Sequence, residues 1–206
     1  AEDAITLKFS TSEPLSSAKV EINGEPLAAS KQSSDTDGTQ WEAVTQNPFI
    51  SDAEEISFQI TEYVDLAGNP SSEDPRTGDD NSKKIRIDLS KPTITPSSVA
   101  ISTDNDLGGI DPVDPQKYLA KAGNTITVAF TTEEELSSAE VVINGEEVIA
   151  SGSGRSWSAT TSDALTEVDE VSFQINYVDL AGNPSSEDRT GDDNSKKIRI
   201  DLSKPT

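Results

Sequence analysis

The sequence predicts an all-β protein: two tandem antiparallel β-sandwiches arranged end to end, the first lacking its N-terminal strand. Three observations carry that reading. Apolar residues alternate with small or polar ones over short runs, as Ile126, Val128 and Phe130 do with Thr127, Ala129 and Thr131, which is the pattern of half-buried strands. Clusters of Gly, Asn, Asp, Pro and Ser separate those runs, and no stretch holds a 3.6-residue apolar period over helical length. The text is also duplicated. YVDLAGNPSSED at Tyr63–Asp74 returns unchanged at Tyr177–Asp188, and TGDDNSKKIRIDLSKPT at Thr77–Thr93 returns as Thr190–Thr206, the mark of a tandem array. The repeats run over residues 1–93 and 94–206.

Taken in order, the first strand of repeat one carries Ile5, Leu7 and Phe9, matching Ile126, Val128 and Phe130 in repeat two. Val20 and Ile22, or Val141 and Ile143, then run into Asn23-Gly24 or Asn144-Gly145. Asn-Gly tolerates positive φ at both turn positions, so a tight hairpin is expected. A strand bearing Trp41 or Trp157 follows, each read as a core residue. Phe58 to Ile60, or Phe173 to Ile175, comes next, and the closing strand holds Ile85, Ile87 and Leu89, or Ile198, Ile200 and Leu202. Repeat one has Thr61-Glu62 where repeat two has only Asn176, and one extra residue within a strand predicts a β-bulge just before Tyr63. Repeat one also has a longer polar loop at Ser30 to Gln40, opposite Gly152 to Arg155.

Repeat two has a leading segment, Ile94 to Lys121, with a strand through Val99 and Ile101. Ala1 aligns with Ala122, so repeat one shows no such segment. Its missing strand either lies outside this stretch of sequence or comes from another chain, and an uncovered edge of that kind invites β-augmentation. Between the repeats, Ser90-Lys91-Pro92-Thr93 makes a short joint that proline stiffens.

Sixteen basic residues against 38 acidic ones leave a net charge of −22, which disfavours nucleic acid and anionic membrane and makes divalent cations the natural partners. The chain has no Cys, Met or His, so disulfides, thiolate chemistry and imidazole bases are excluded. Paired carboxylates would remain for catalysis, but two compact repeats offer no cleft to set their environments apart, and no enzyme is expected. No apolar run of spanning length occurs, and any export signal is expected outside this segment.

A Pro-Thr start, an AKAG-x-TITVAFT strand (Ala120 to Thr131), an ING hairpin and an F-x-I-x-Y-x-D-x-AGN strand together resemble the bacterial Ig-like repeats of giant surface adhesins. The resemblance covers nearly all of repeat two and all but the start of repeat one. It implies a seven-strand Ig-like sandwich in the extracellular stalk of a bacterial cell-surface protein, flanked by neighbouring repeats of the same chain. It also implies a structural extender role, with Ca²⁺ stiffening loops and joints.

Residues of the right type for Ca²⁺, which takes six to eight oxygens, fall in three places. Asp65 with Asn69, and Asp179 with Asn183, flank the AGN turn, where they would equally serve to hydrogen-bond the turn backbone. Asp104, Asn105 and Asp106 open an acidic loop that continues to Asp111 and Asp114. It begins like an EF-hand loop but has Pro115 at the twelfth position. Asp88 lies near the joint, and Asp79-Asp80-Asn81 with its copy Asp192-Asp193-Asn194 reads as a solvated turn beside lysines. Two other roles compete with the extender: an accessory carbohydrate-binding module, which needs exposed aromatics, and a fibre subunit completing repeat one by strand exchange.

Overall fold

The computed structural model describes residues 4–45, 52–53, 55–105, 109–162 and 165–204. Contacts divide the chain into two compact units, Ala1–Leu89 and Ser90–Thr206. Both are all-β, with no helix among the described residues.

The first unit contains β1 (Thr6–Ser10), β2 (Leu15–Ile22), β3 (Glu25–Lys31), β4 (Gln40–Val44), β5 (Phe58–Asp65) and β6 (Pro70–Ser71). One layer is β2 flanked by β3 and β5, with β6 on the far side of β5, and the other is β1 against β4. β3 serves both layers, pairing with β2 through Ala29 and with β4 at Ser30 and Lys31. Val20, Ile22, Ala43, Ile56 and Ile87 form one buried cluster, and Leu15, Ala18 and Trp41 a second.

The second unit contains β7 (Ala100–Thr103), β8 (Lys117–Ala120), β9 (Ile126–Thr131), β10 (Leu136–Ile143), β11 (Glu146–Ile149), β12 (Ser151–Ser153), β13 (Ser156–Thr160), β14 (Phe173–Asp179), β15 (Pro184–Arg189) and β16 (Lys197–Ile200). Its two facing sheets have the orders β11-β10-β14-β15 and β12-β13-β9-β7. β11 and β12 are the two halves of one path that changes sheets at Ala150, as β3 does in the first unit. Every inward residue of β9 and β14 is buried, and these residues join Val99, Ile101, Ile198 and Ile200 in one continuous core. Phe130 and Tyr177 meet across it with ring centroids 6.4 Å apart.

The hairpins form as expected. Asn23 and Gly24 have φ of 50° and 84°, and Asn144 and Gly145 have 48° and 86°, so both central residues are left-handed, as a type I′ turn requires. The bulge also falls where the extra residue predicts it. Lys19 opposes Glu62 and Val20 opposes Ile60, leaving Thr61 unpaired.

Three elements differ from the sequence expectation. The stretch read as one strand from Ala120 to Thr131 is two, β8 and β9, separated by a turn at Lys121–Asn124 closed by a 3.1 Å backbone bond. The closing strand β16 runs parallel to β8, the one parallel pair among the described strands of an otherwise antiparallel sandwich. Among the described residues of the first unit the closing segment pairs with no counterpart of β8; it makes a bridge between Ala53 and Ile87, and Ile85 is 42% exposed.

Candidate functional site

The AGN turns follow β5 and β14 and are built alike. Asp65 Oδ1 accepts the Asn69 backbone N–H at 2.8 Å, and Asn69 Nδ2 donates to Asp65 Oδ2 at 2.6 Å. The corresponding distances from Asn183 to Asp179 are both 2.8 Å. Gly68 and Gly182, each at φ 92°, let the chain reverse so that their N–H groups return to the carbonyls of Asp65 and Asp179. The side-chain and backbone hydrogen bonds from Asn69 hold the Asp65 carboxyl below the usual carboxylate range. Each pair thus does the turn-closing work open to Asp and Asn in such a position.

The two turns differ in burial. Asp179 is 1% exposed, whereas Asp65 is only half-buried. A carboxylate oxygen of Glu134, two residues before β10, lies within 4.8 Å of one of Asp179's. Reading the sequence did not single out Glu134, because nothing local ties a residue before β10 to a turn some 45 positions later. Two carboxylates and the Asn183 amide are hard oxygen donors of the class Ca²⁺ takes, with lone pairs left after the Asn183 bonds. They are fewer than the six to eight oxygens of a full shell, so water or main-chain carbonyls would have to complete it.

Among the described residues, the acidic loop does not converge on a common point. Asp104 Oδ1 accepts the Thr125 N–H at 2.7 Å, which lowers its pKa, and Asn105 Nδ2 donates to the Leu119 carbonyl at 2.6 Å. Asp111 is spent on the Val113 N–H and on Arg199, at 2.8 and 3.1 Å. Asp106 lies outside the described residues. Asp88 pairs with Arg86 at 3.2 Å. In the Asp79 and Asp192 turns, Oδ1 accepts two backbone N–H groups of its own loop, from Asn81 and Lys83 or from Asn194 and Lys196.

Neither Trp offers its polar edge for ligand recognition. Trp41 is 4% exposed, and its indole N–H donates to the Gly38 carbonyl at 3.1 Å; that of Trp157 donates to Gly154 at 3.0 Å. A concavity of the second unit, about 790 Å³, lies over the β10–β14–β15 face and is lined by Ser138, Tyr177, Pro184 and Ser186 among others.

No protein-family model and no curated protein matches this chain. Among solved structures, one titled "Anomalous substructure of Titin-A168169" is 10% identical, with a TM-score of 0.27 over 97% of this chain and 91% of the other. A Bacteroides ovatus mixed-linkage glucan utilization locus protein, SGBP-B, in complex with a mixed-linkage heptasaccharide, is 12% identical with a TM-score of 0.24. That alignment covers 96% of this chain and 41% of the other.

Proposed function

We propose that the chain is a piece of the repetitive extender of a bacterial cell-surface adhesin, and that its modules act as non-catalytic spacers outside the cell. The observation that carries this reading is where the duplication is verbatim. The identical runs hold the AGN turn, the closing segment and the Ser-Lys-Pro-Thr joint, which are the parts that end one module and lead into the next. A duplicated active site would instead keep a cleft and its side chains. The internally bonded tryptophans, Trp41 buried and Trp157 partly buried, speak against the carbohydrate-binding alternative. Small-angle scattering on chains of two, four and six repeats tests the proposal. The maximum dimension should grow in proportion to repeat number, and growth as the square root would refute a stiff extender.

Calcium belongs to the same proposal, with Asp179, Glu134 and Asn183 as its ligands in the second unit. Bound there, it would neutralise a buried carboxylate. Melting should rise by several degrees in excess calcium over chelator, and Asp179→Asn should abolish the rise. An unmoved melting temperature would remove calcium from the proposal.

A further inference from the structure

The closing strand of the second unit is bonded along both of its edges. On one side β8 lies parallel to it, with Lys117 opposite Lys197 and Ala120 opposite Ile200. The Lys197 N–H donates to the Gln116 carbonyl at 2.8 Å and that of Asp201 to the Ala120 carbonyl at 2.9 Å, which closes the ladder at its two ends. On the other side the segment 168–171 runs against it. Val168 and Ile200 exchange backbone bonds of 3.2 and 2.9 Å, and the Val171 N–H donates to the Ile198 carbonyl at 2.8 Å. β8 is backed in turn by residues 109–111: the Asp111 N–H donates to the Lys117 carbonyl and the Leu119 N–H to the Gly109 carbonyl, both at 2.8 Å. The result is a ribbon of four short segments with β8 and β16 at its centre.

Side chains lock the register of this ribbon. Ala120, Ile198 and Ile200 are fully buried in the core. The alternate residues Lys197 and Arg199 lie on the outer side and tie β16 across to both flanking segments. Lys197 bonds Glu170 at 2.9 Å, and Arg199 bonds Asp111 at 3.1 Å. Side chains and hydrogen-bonding groups both repeat every two residues, so a one-residue slip of β16 breaks every bond at once. Rebonding in the slipped register would turn Lys197 and Arg199 into the core. Strand direction matters as much as the bonds. Because β8 and β16 are parallel, the start of β8 and the end of β16 lie at opposite ends of the ladder. Tension that enters ahead of β8 and leaves after β16 therefore drags the two strands past each other, and all the bonds of the ladder oppose it together.

We infer that the β8–β16 ladder is a shear clamp that keeps the module folded under tension along the chain. The inference rests on the extender reading, in which a module set in a string of modules is pulled through its two ends. Pulled that way the ladder fails only as a whole. Pulled apart from the Ala120 end, where the two strands finish side by side, the same ladder opens one bond at a time.

Single-molecule force spectroscopy on the full 206-residue chain tests this. The chain has no cysteine of its own, so introduced cysteines serve as unique handles. One variant carries Gln116→Cys with Lys204→Cys, which grips the opposite ends of the ladder and loads it in shear. The other carries Lys121→Cys with Lys204→Cys, which grips the two ends that lie side by side and peels it. All three side chains are exposed, so both variants keep the fold, which equal urea midpoints would verify. At one loading rate the first pair should need at least about twice the unfolding force of the second, because forced unfolding reads the barrier along the pulled direction and not the equilibrium stability. Equal forces, or a higher force for the Lys121 pair, would overturn the inference. The comparison is made within one module, so equal forces would remove the clamp and leave the scattering series to decide whether the array is stiff. A flexible array would in turn leave the force ratio unchanged.

Discussion

At the residue scale, two glycines of the second unit are needed for different reasons, and substitution separates them. Gly145 sits at φ +86°, but a Cβ there would meet nothing within 4 Å. Gly145→Ala therefore costs only the left-handed backbone, about 1 kcal/mol. A Cβ on Gly152 would lie 2.2 Å from the Ser156 carbonyl oxygen and 2.8 Å from Trp157 Cα. Both are backbone atoms of the facing strand and cannot swing aside, so Gly152→Ala has to pry β12 from β13. It should cost roughly 2–3 kcal/mol or more, read as a lower urea midpoint and a shifted Trp157 emission. The first unit shows how else the site can be built: Lys31 stands in the place of Gly152, followed by the longer loop over residues 32–39. The short loop is what demands glycine. Gly152 was legible only as part of a compact turn, because its constraint comes from a neighbour's backbone and not from its own φ.

At the scale of elements, what could be read in the sequence and what could not divide along physical lines. Asn23-Gly24 and Asn144-Gly145 announce their hairpins because the turn's dihedrals are written in the two residues themselves. The bulge at Thr61 is legible by counting against the other repeat. β15 was not, since Pro-Ser-Ser-Glu-Asp-Arg has no apolar face and is a strand only because β14 offers it a ladder. The parallel pairing of β8 with β16 was equally hidden, for the two lie about 80 residues apart and meet through their backbones. Among the candidate ligands, the turn pairs Asp65–Asn69 and Asp179–Asn183 were legible from their motif, whereas Glu134 reaches Asp179 only through the fold. The charges along β8 and β16 make a prediction. Lys117 bonds Asp169 at 2.7 Å, Lys197 bonds Glu170 at 2.9 Å, and Arg199 bonds Asp111 at 3.1 Å. Hydrogen bonds from Lys117 and Lys197 lower the Asp169 and Glu170 carboxyls. The Val113 N–H, and then Arg199, lower Asp111. A lowered carboxylate contributes stability that is fully present above its unfolded value, about 4, and is lost as pH falls through the folded value. Lys117 is raised, chiefly by its bond to Asp169, so its share persists until pH passes about 10. The urea midpoint of the second unit should therefore be flat from about pH 5 to 9 and fall below about pH 4. A midpoint that held to pH 3 would show that these pairs add nothing.

At the scale of the whole molecule, the repeats share their closing text but are unequal in what covers them, and this inequality should appear in the melting profile. The second unit buries Val99, Ile101 and Ala120 from its leading segment, together with Ile198 and Ile200 of the closing strand that β8 holds in place. The first unit has no counterpart of β7 or β8 among its described residues. Its Ile85 is 42% exposed where Ile198 is fully buried, and Phe58 and Ile60 lose cover that Phe173 and Ile175 keep. Burying one Val or Ile is worth about 1.5–3 kcal/mol, and a domain of this size melts about 4–8 °C higher for each kcal/mol gained. Loss of even two such residues should therefore separate the units by on the order of 10 °C or more. Calorimetry should resolve two transitions. In a Trp157→Phe chain, Trp41 fluorescence should follow the lower one, and in a Trp41→Phe chain Trp157 should follow the upper one. Fusing the sequence of residues 93–121 ahead of the first unit should raise the lower transition toward the upper, because it supplies the strand and the β8 partner together. A single transition shared by both tryptophans would mean that coverage by β7 and β8 is not what sets the stability of these modules.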